Sequence, residues 1–177
     1  MNLRKIKFLL PFVILFVLLG MLYIQLSSSR SYTYAKGIIG DKMPEFSVPA
    51  IDGKGSVTTS SLRGRVTLLN FWASWCGACH AEHAMLMKIK NEYHIPIYGI
   101  AFKDNPNDAK AVLEKSGNPF AEVGYDATGA TSIDFGVYGT PETYVISPSG
   151  NILYRQIGVI DQHTWDNTIY PLIKNYQ

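Results

Sequence analysis

The sequence predicts one α/β domain in which a mixed central sheet is covered by helices on both faces. Apolar runs typical of strands alternate with stretches that have apolar residues at helical spacing, and turn residues separate them. Of the 177 residues, 47% are hydrophobic and 17% charged, which supports a packed core and argues against global disorder. An N-terminal hairpin extension and, before it, an N-terminal transmembrane helix complete the predicted architecture.

The transmembrane helix is predicted over residues 8–26, which carry no charged side chain. At about 1.5 Å per residue this segment spans roughly 28 Å, close to the hydrocarbon thickness of a bilayer. Arg4, Lys5 and Lys7 precede it, so residues 1–7 are expected to be cytoplasmic and the domain extracytoplasmic. A cleaved signal peptide is the alternative, although its apolar region is usually shorter and no clear small-x-small cleavage site follows.

The folded domain is predicted over residues 38–177, and polar residues 27–37 are expected to form a tether. Four of the 16 basic residues belong to the N-terminal region, which leaves 12 basic residues against all 14 acidic ones. No basic run is available to contact phosphates. Nucleic acid is therefore not expected as a partner.

The elements of the domain follow from periodicity and turn chemistry. Proline and glycine between short apolar patches predict a hairpin over residues 41–64. The later elements are a strand at 66–72, a helix at 78–92, a strand at 97–102, a helix at 107–116, a helical turn at 131–135, hairpin strands at 143–146 and 152–156, and a last helix capped by Asp161. Residues 121–123 form only a short apolar patch in this interpretation. The order β-hairpin, β, α, β, α, β, β, α predicts a sheet with a parallel core.

The two cysteines of the chain form a Cys-x-x-Cys motif, Cys76 and Cys79, between a predicted strand and a predicted helix. They close too short a loop to stabilise the fold as a structural bridge, so redox or metal chemistry is expected. At the helix N-terminus, unpaired N–H groups and the helix dipole lower the pKa of the Cys76 thiol. Cys79, one turn later, can attack a mixed disulfide on Cys76. The pair is therefore the predicted catalytic, redox-active disulfide.

Two other uses of these cysteines remain open. With His80 they spell Cys-x-x-Cys-His, the haem-attachment pattern of c-type cytochromes, although a strand before the motif does not suit a largely helical cytochrome. Cys76, Cys79, His80 and His83 could also ligate zinc or copper, although structural zinc ligands usually come from two separated pairs. The redox interpretation requires no cofactor and no metal.

Thr140 and Pro141 form the second candidate element, at the start of a predicted strand where proline is tolerated. An ordinary turn proline is the alternative. The surrounding residues, Val137–Thr143, resemble the cis-proline loop that faces the Cys-x-x-Cys motif in thioredoxin folds.

From about Gly40 to its end, the chain resembles the thioredoxin-like, membrane-tethered thiol:disulfide reductases of bacterial cytochrome c maturation, the CcmG/DsbE group. Two motifs carry the resemblance: Phe71–Cys79 (FWASWCGAC) followed by Ala81–His83 (AEH), and Gly136–Thr143 (GVYGTPET). The first is shared widely among thioredoxin-like proteins, and the second is more particular to this group.

The resemblance implies a thioredoxin-like fold and a defined reaction. The chain would reduce the cysteine pair of apocytochrome c before haem attachment, on the periplasmic side of the bacterial inner membrane. A membrane electron donor of the DsbD or CcdA type would then re-reduce the chain. A general envelope thiol:disulfide oxidoreductase with other protein substrates is the alternative, and a passive binder of apocytochrome is the non-enzymatic one.

Several residues depart from the pattern of the group or support its site. The group more often has Pro-Thr between the cysteines, where this chain has Gly-Ala. Asn70 stands where thioredoxin carries a buried Asp that assists proton transfer, and we expect Glu82 or Glu142 to take over that task. Glu82 lies one turn beyond Cys79, and Glu142 is expected to approach the cysteines from across the groove.

The groove beside the cysteines is expected to be aromatic. Trp75 precedes Cys76 directly, and three further aromatic residues are candidates for its walls: Trp72, Tyr138 and Tyr144. Trp72 could equally belong to the core.

Overall fold

A computed structural model describes residues 12–21 and 39–176 of the chain, which divides into two units, Met1–Thr33 and Tyr34–Gln177. In the N-terminal unit, residues 12–21 form helix α1, and their side chains are exposed. Neither described stretch contains a helix that is long and apolar enough to span a bilayer. Both ends of the predicted segment 8–26 and the predicted tether 27–37 lie outside the described residues.

Residues 39–176 of the second unit form seven strands and a set of helices around them. The strands are β1 Ser47–Pro49, β2 Ser56–Thr58, β3 Thr67–Trp72, β4 Ile97–Phe102, β5 Glu122–Asp126, β6 Glu142–Ile146 and β7 Ile152–Ile157. The helices are α2 Gly77–Lys88, α3 Pro106–Ser116, α4 Ala130–Asp134, α5 Gln162–Thr164 and α6 Tyr170–Lys174, with a 3₁₀ turn at Thr59–Leu62 and π-helical turns at Ile89–Tyr93 and Trp165–Ile169. The predicted cap of the last helix is confirmed, because the Asp161 carboxylate accepts the Thr164 N–H at 2.7 Å.

The main sheet has the strand order β5-β4-β3-β6-β7. β3, β4 and β5 run parallel, whereas β6 and β7 are antiparallel to their neighbours. This confirms the predicted mixed sheet with a parallel core. The predicted hairpin is also confirmed as the separate antiparallel pair β1 and β2.

Strand β5 is a correction to the predicted element order. Residues 121–123 suggested only a short apolar patch, yet β5 extends to Asp126 and pairs with β4 along its length. The glycine within it hid the pattern. A Cβ at Gly124 would lie 2.3 Å from Val48 Cγ2 of β1, so the hairpin can pack on β5 only because this side chain is absent.

The sheet separates two apolar cores, because successive side chains of a strand point to opposite faces. Along β3, Leu68 and Trp72 join the core that includes α2, α3 and the C-terminal helices. Leu69 and Phe71 join the core beneath the hairpin. β3 is buried at every position and is therefore held firmly in the sheet. The chain that leaves it begins α2 on the face that carries Leu68 and Trp72.

Candidate active site

The cysteine pair lies where β3 passes into α2. Cys76 is the N-cap of α2, as predicted, and its sulfur accepts the Cys79 N–H at 3.1 Å. The two sulfurs are joined in a disulfide, with the Cα atoms 5.3 Å apart. Each cysteine is 6% exposed. Because the Cys76 sulfur faces the free N–H groups of a helix N-terminus, a negative charge on it is stabilised once the disulfide opens.

The Thr140–Pro141 segment faces this sulfur. The peptide bond between the two residues is cis, and the Thr140 carbonyl oxygen lies 3.4 Å from Cys76 Sγ. The Pro141 carbonyl accepts the Gly158 N–H at 2.9 Å, which fixes the segment to the chain after β7. The structure therefore brings the two sequence motifs together around Cys76.

Two exposed aromatic side chains belong to the two motifs that meet at Cys76. Trp75 is 60% exposed, and its indole N–H donates to the Lys103 carbonyl at 3.4 Å. Tyr138, on the chain before Thr140, is 66% exposed. The exposure of these two side chains is consistent with the prediction that Trp75 and Tyr138 belong to an aromatic groove. Trp72, in contrast, is buried in the core of the α2 face.

Asp104 supports the turn before Cys76, and sequence reasoning missed it. Its carboxylate accepts the Ser74 hydroxyl at 2.6 Å and the Ser74 backbone N–H at 2.5 Å. The available signal was an acidic residue two positions after the end of a buried strand, at the carboxyl edge of the sheet. Such a residue lies beside the other loops at that edge.

Glu82 is a buried acid one turn beyond Cys79, with 1% of its surface exposed. Its carboxylate accepts the Ile160 N–H at 2.7 Å and the Asn70 amide at 3.1 Å. Burial raises the pKa of this carboxyl from 4.5 to about 7, against the opposing effect of the two hydrogen bonds. Glu82 thus binds and releases a proton near neutral pH.

Asn70 connects Glu82 to the sheet. Its amide also donates to Thr143 Oγ1 at 2.9 Å, so it links α2 to β6. Asn70, Cys79 and Glu82 line one small cavity of about 10 Å³, near the lower limit for holding a water molecule. The predicted proximity of Glu82 to the resolving cysteine is therefore present in the structure.

Glu142 lies elsewhere than expected. It shares a sheet face with Tyr144, which belongs to the core beneath the hairpin, rather than with Asn70 and Glu82. Its carboxylate is ion-paired with Arg155 and accepts the Tyr144 hydroxyl at 2.6 Å. The expectation that Glu142 approaches the cysteines from across the groove is therefore wrong, because its side chain lies on the other face of the sheet. Residues two apart on a strand share a face, and Glu142 therefore follows Tyr144.

Tyr144 is likewise no groove residue, since it is fully buried. Its hydroxyl donates to the Phe135 carbonyl at 2.7 Å, and burial together with the Glu142 carboxylate raises the pKa of this phenol above its usual value. Arg155 also donates to the Gly136 carbonyl at 2.7 Å. Arg155, Glu142 and Tyr144 therefore hold both ends of the segment Gly136–Glu142, which carries Thr140.

The residues of the metal alternative, Cys76, Cys79, His80 and His83, are not arranged as a metal site. The His83 ring donates from Nε2 to the Ser116 carbonyl at 3.1 Å, at the end of α3. Within residues 12–21 and 39–176, no three His, Cys, Asp or Glu side chains are grouped to hold a metal ion. The sulfurs of Cys76 and Cys79 are bonded to each other.

A disulfide at a helix N-terminus, beside a cis-proline segment and a buried acid, is suited to exchange with a disulfide of another protein. These features define the class of thioredoxin-like thiol:disulfide oxidoreductases. The Redoxin family model matches residues 38–170. The chain belongs to the Redoxin family and, within it, to the DsbE/CcmG type of thioredoxin-like thiol:disulfide oxidoreductase.

The relatives extend over the whole chain. The thiol:disulfide interchange protein DsbE of Allochromatium vinosum is 35% identical over 180 residues, covering 100% of this chain and 98% of its own length. The DsbE of Escherichia coli K12 is 32% identical over 179 residues, covering 98% and 96%. The crystal structure of a putative DsbE from Chlorobium tepidum superposes with a TM-score of 0.68 at 27% identity, covering 78% of this chain and 96% of that one.

Proposed function

We propose that this chain is a membrane-anchored reductase of the Cys-x-x-Cys-His disulfide of apocytochrome c, acting on the periplasmic side of the inner membrane before haem attachment. The observation that carries the proposal is the contact of Thr140 with Cys76. It joins the widely shared cysteine motif to the segment Gly136–Thr143, the more particular motif of the CcmG/DsbE group.

The first step uses the thiolate of Cys76. It attacks one sulfur of the substrate disulfide, and the other substrate sulfur leaves as a thiolate. The N-terminus of α2 stabilises the attacking thiolate, since the backbone N–H of Cys79 already points at this sulfur. A mixed disulfide joins Cys76 to the substrate.

The second step uses Cys79 and Glu82. Cys79 loses its proton, attacks Cys76 Sγ and releases the second substrate sulfur as a thiolate. The protein is left oxidised, and the two electrons are on the substrate. Glu82 accepts the proton, directly or through one water, because both residues line the same cavity and the carboxyl titrates near 7. Asn70 positions Glu82 by its hydrogen bond.

The remaining site residues either position the segment that contacts Cys76 or offer a docking surface to the substrate. Glu142 holds the segment before it through Arg155, so it supports Thr140 and Pro141 instead of moving a proton. Trp75 and Tyr138 offer exposed aromatic surface beside Cys76 for a polypeptide substrate.

The proposed location and partners rest on the sequence. Residues 8–26 would anchor the chain, with residues 1–7 in the cytoplasm. A membrane electron donor of the DsbD or CcdA type would return the two electrons to Cys76 and Cys79. The resemblance to the CcmG/DsbE group supports both assignments.

A Cys79→Ser variant tests the substrate. Without Cys79 the mixed disulfide on Cys76 cannot resolve, so adducts of the full-length chain accumulate in cells and can be identified by mass spectrometry. Apocytochrome c among the adducts is the expected result, and the Cys76→Ser/Cys79→Ser variant is the control that should show none. A collection of unrelated envelope proteins without apocytochrome c would contradict the proposal and favour the general oxidoreductase.

A further inference from the structure

Phe120 occupies a position that the mechanism above does not use. It lies between α3 and β5 and is 4% exposed. Its ring stacks on Trp72, with ring centroids 5.3 Å apart and planes inclined by 29°. Both rings line the cavity that contains Cys79 and Glu82.

The stack requires the glycine beneath it. Gly99 lies on β4, beside Asn70 of β3 in the parallel pairing. A Cβ at Gly99 would lie 2.9 Å from Phe120 Cγ and 2.9 Å from Trp72 Nε1. Any side chain here would displace at least one ring, so the two rings can lie on the strand only because residue 99 has none.

The loop that carries Phe120 lines the inner cavity and two open clefts. Its neighbours Asn118 and Ala121 line an open cleft of about 770 Å³, and Pro119 with Ala121 lines a second cleft of about 250 Å³. Phe120 alone of these four lines the inner cavity of about 10 Å³. Phe120 therefore faces the inner cavity with the buried acid, whereas its neighbours face the open clefts.

The loop is fixed to its surroundings. The Asn118 carbonyl accepts the Lys90 ammonium at 2.6 Å, and the Ala121 N–H donates to the Ile97 carbonyl at 2.7 Å. The Asn118 side chain accepts the Phe120 N–H at 2.9 Å. These bonds on both sides of Phe120 hold its ring against Trp72.

We propose that Phe120 is a positioning residue that seals the Cys79–Glu82 cavity from bulk water and thereby sets the pH range in which Cys79 and Glu82 exchange a proton. The seal acts through desolvation: a carboxyl without water holds its proton to higher pH, and admitting water restores its ordinary titration. The part concerning proton exchange rests on the proposed function, whereas the sealing itself concerns only the folded, oxidised protein.

The charges that face Glu82 are few. The groups of α2 on the cavity that can titrate are His80 and His83 and, only after the disulfide is reduced, Cys79. The facing strand, α3 and the loop contribute Asn70, Trp72, Val112 and Phe120, none of which titrates. The loop that donates Ile160 N–H to Glu82 continues to Asp161, which is exposed and has a pKa lowered by its bond from Thr164.

The test measures the pKa of Glu82 directly in the full-length, oxidised chain, by ¹³C NMR of labelled glutamate carboxyls. Glu82→Gln identifies the resonance by its loss. Titration near 7 is expected for the unaltered chain. Phe120→Ala should lower the pKa by about one to two units towards the ordinary value, and Phe120→Leu by less.

Two further variants separate sealing from general loosening of the core. Gly99→Ala should also lower the pKa of Glu82, because it displaces the stack without removing either ring. Phe46→Leu is the matched control, since Phe46 is a buried aromatic residue of the opposite core and should leave the pKa unchanged. An unaltered Glu82 pKa in folded Phe120→Ala, Phe120→Leu and Gly99→Ala chains overturns the proposal, as does an equal decrease in Phe46→Leu.

The pH profile of disulfide exchange distinguishes this inference from the proposed role of Glu82. If Glu82→Gln leaves the profile unchanged, Glu82 is not the proton acceptor, whatever the NMR titrations show. If Glu82→Gln removes a limb near pH 7 but Phe120→Ala leaves that limb in place, Glu82 remains the proton acceptor and the proposed sealing role of Phe120 is refuted. A shift of the limb to lower pH in Phe120→Ala, and none in Phe46→Leu, is the expected outcome.

Discussion

Replacing Glu82 by glutamine should change how the stability of the protein depends on pH. The substitution keeps the shape of the side chain and an oxygen that can accept the Ile160 N–H. The new amide faces the Asn70 amide, which can rotate to present its oxygen. The main physical change is therefore that a buried group can no longer ionise.

The magnitude follows from the pKa of Glu82. In the unfolded chain the carboxyl ionises above 4.5, whereas in the folded protein burial raises its pKa to about 7. Between these values the folded state holds a proton that the unfolded state has lost, so stability falls as pH rises through this window and then levels off. At 1.36 kcal/mol per pKa unit, the loss attributable to Glu82 is about 3 kcal/mol.

The assay is urea unfolding of the oxidised protein at intervals from pH 4 to pH 8, followed by tryptophan fluorescence. The difference in unfolding free energy between Glu82→Gln and the unaltered chain should grow by about 3 kcal/mol in favour of the variant over this range. Differences cancel the contribution of other titrating groups. Glu114→Gln, at an exposed position of α3, is the control and should give parallel curves.

Parallel curves for Glu82→Gln would refute the argument. They would mean that the carboxyl ionises in the folded protein as readily as in the unfolded chain. Glu82 would then be too weak a base near neutral pH to take a proton from Cys79 efficiently, and its assignment as proton acceptor would fail with it.

Two other substitutions test how the site is supported. Arg155→Met should lower the unfolding free energy at pH 7 by about 3–5 kcal/mol, because it leaves Glu142 buried and charged, and adding Glu142→Leu should recover much of the loss; a loss below about 1 kcal/mol in urea unfolding would contradict the buried ion pair. Gly124→Ala should cost about 1–3 kcal/mol because its Cβ would clash with Val48, whereas Gly139→Ala, with no atom near its Cβ, should cost much less; similar thermal unfolding of the two would contradict the packing argument.

Local patterns in the sequence were sufficient for much of the fold. The apolar run before Cys76 predicted β3, and the helical spacing after it predicted α2 with Cys76 at its start. The aspartate at 161 predicted the cap of the last helix. In each case the signal lies within a few neighbouring residues, because periodicity and capping are local properties of the chain.

Partners that are distant in the chain were not predictable in this way. The sequence predicts Glu142 as a groove acid, because nothing near it reveals Arg155, thirteen residues later on the adjacent strand. Gly124 interrupted the pattern of β5, although packing against Val48 is what requires it. Phe120 lies outside every predicted element, and only the fold places it on Trp72. Such roles depend on tertiary contacts, which periodicity does not encode.

The two buried glutamates show why one of them suits proton transfer and the other does not. Glu142 is ion-paired with the Arg155 guanidinium and accepts the Tyr144 hydroxyl, so its carboxylate is engaged on the face of the sheet away from Asn70. Glu82 receives only neutral N–H donors, from Ile160 and Asn70, so burial dominates and its pKa rises to about 7. A general base works best when its pKa is near the working pH. The sheet therefore divides the two tasks between its faces: the face of α2 keeps an acid without a cation, which can exchange a proton with Cys79, and the opposite face keeps an acid with a cation, which can hold the segment that contacts Cys76.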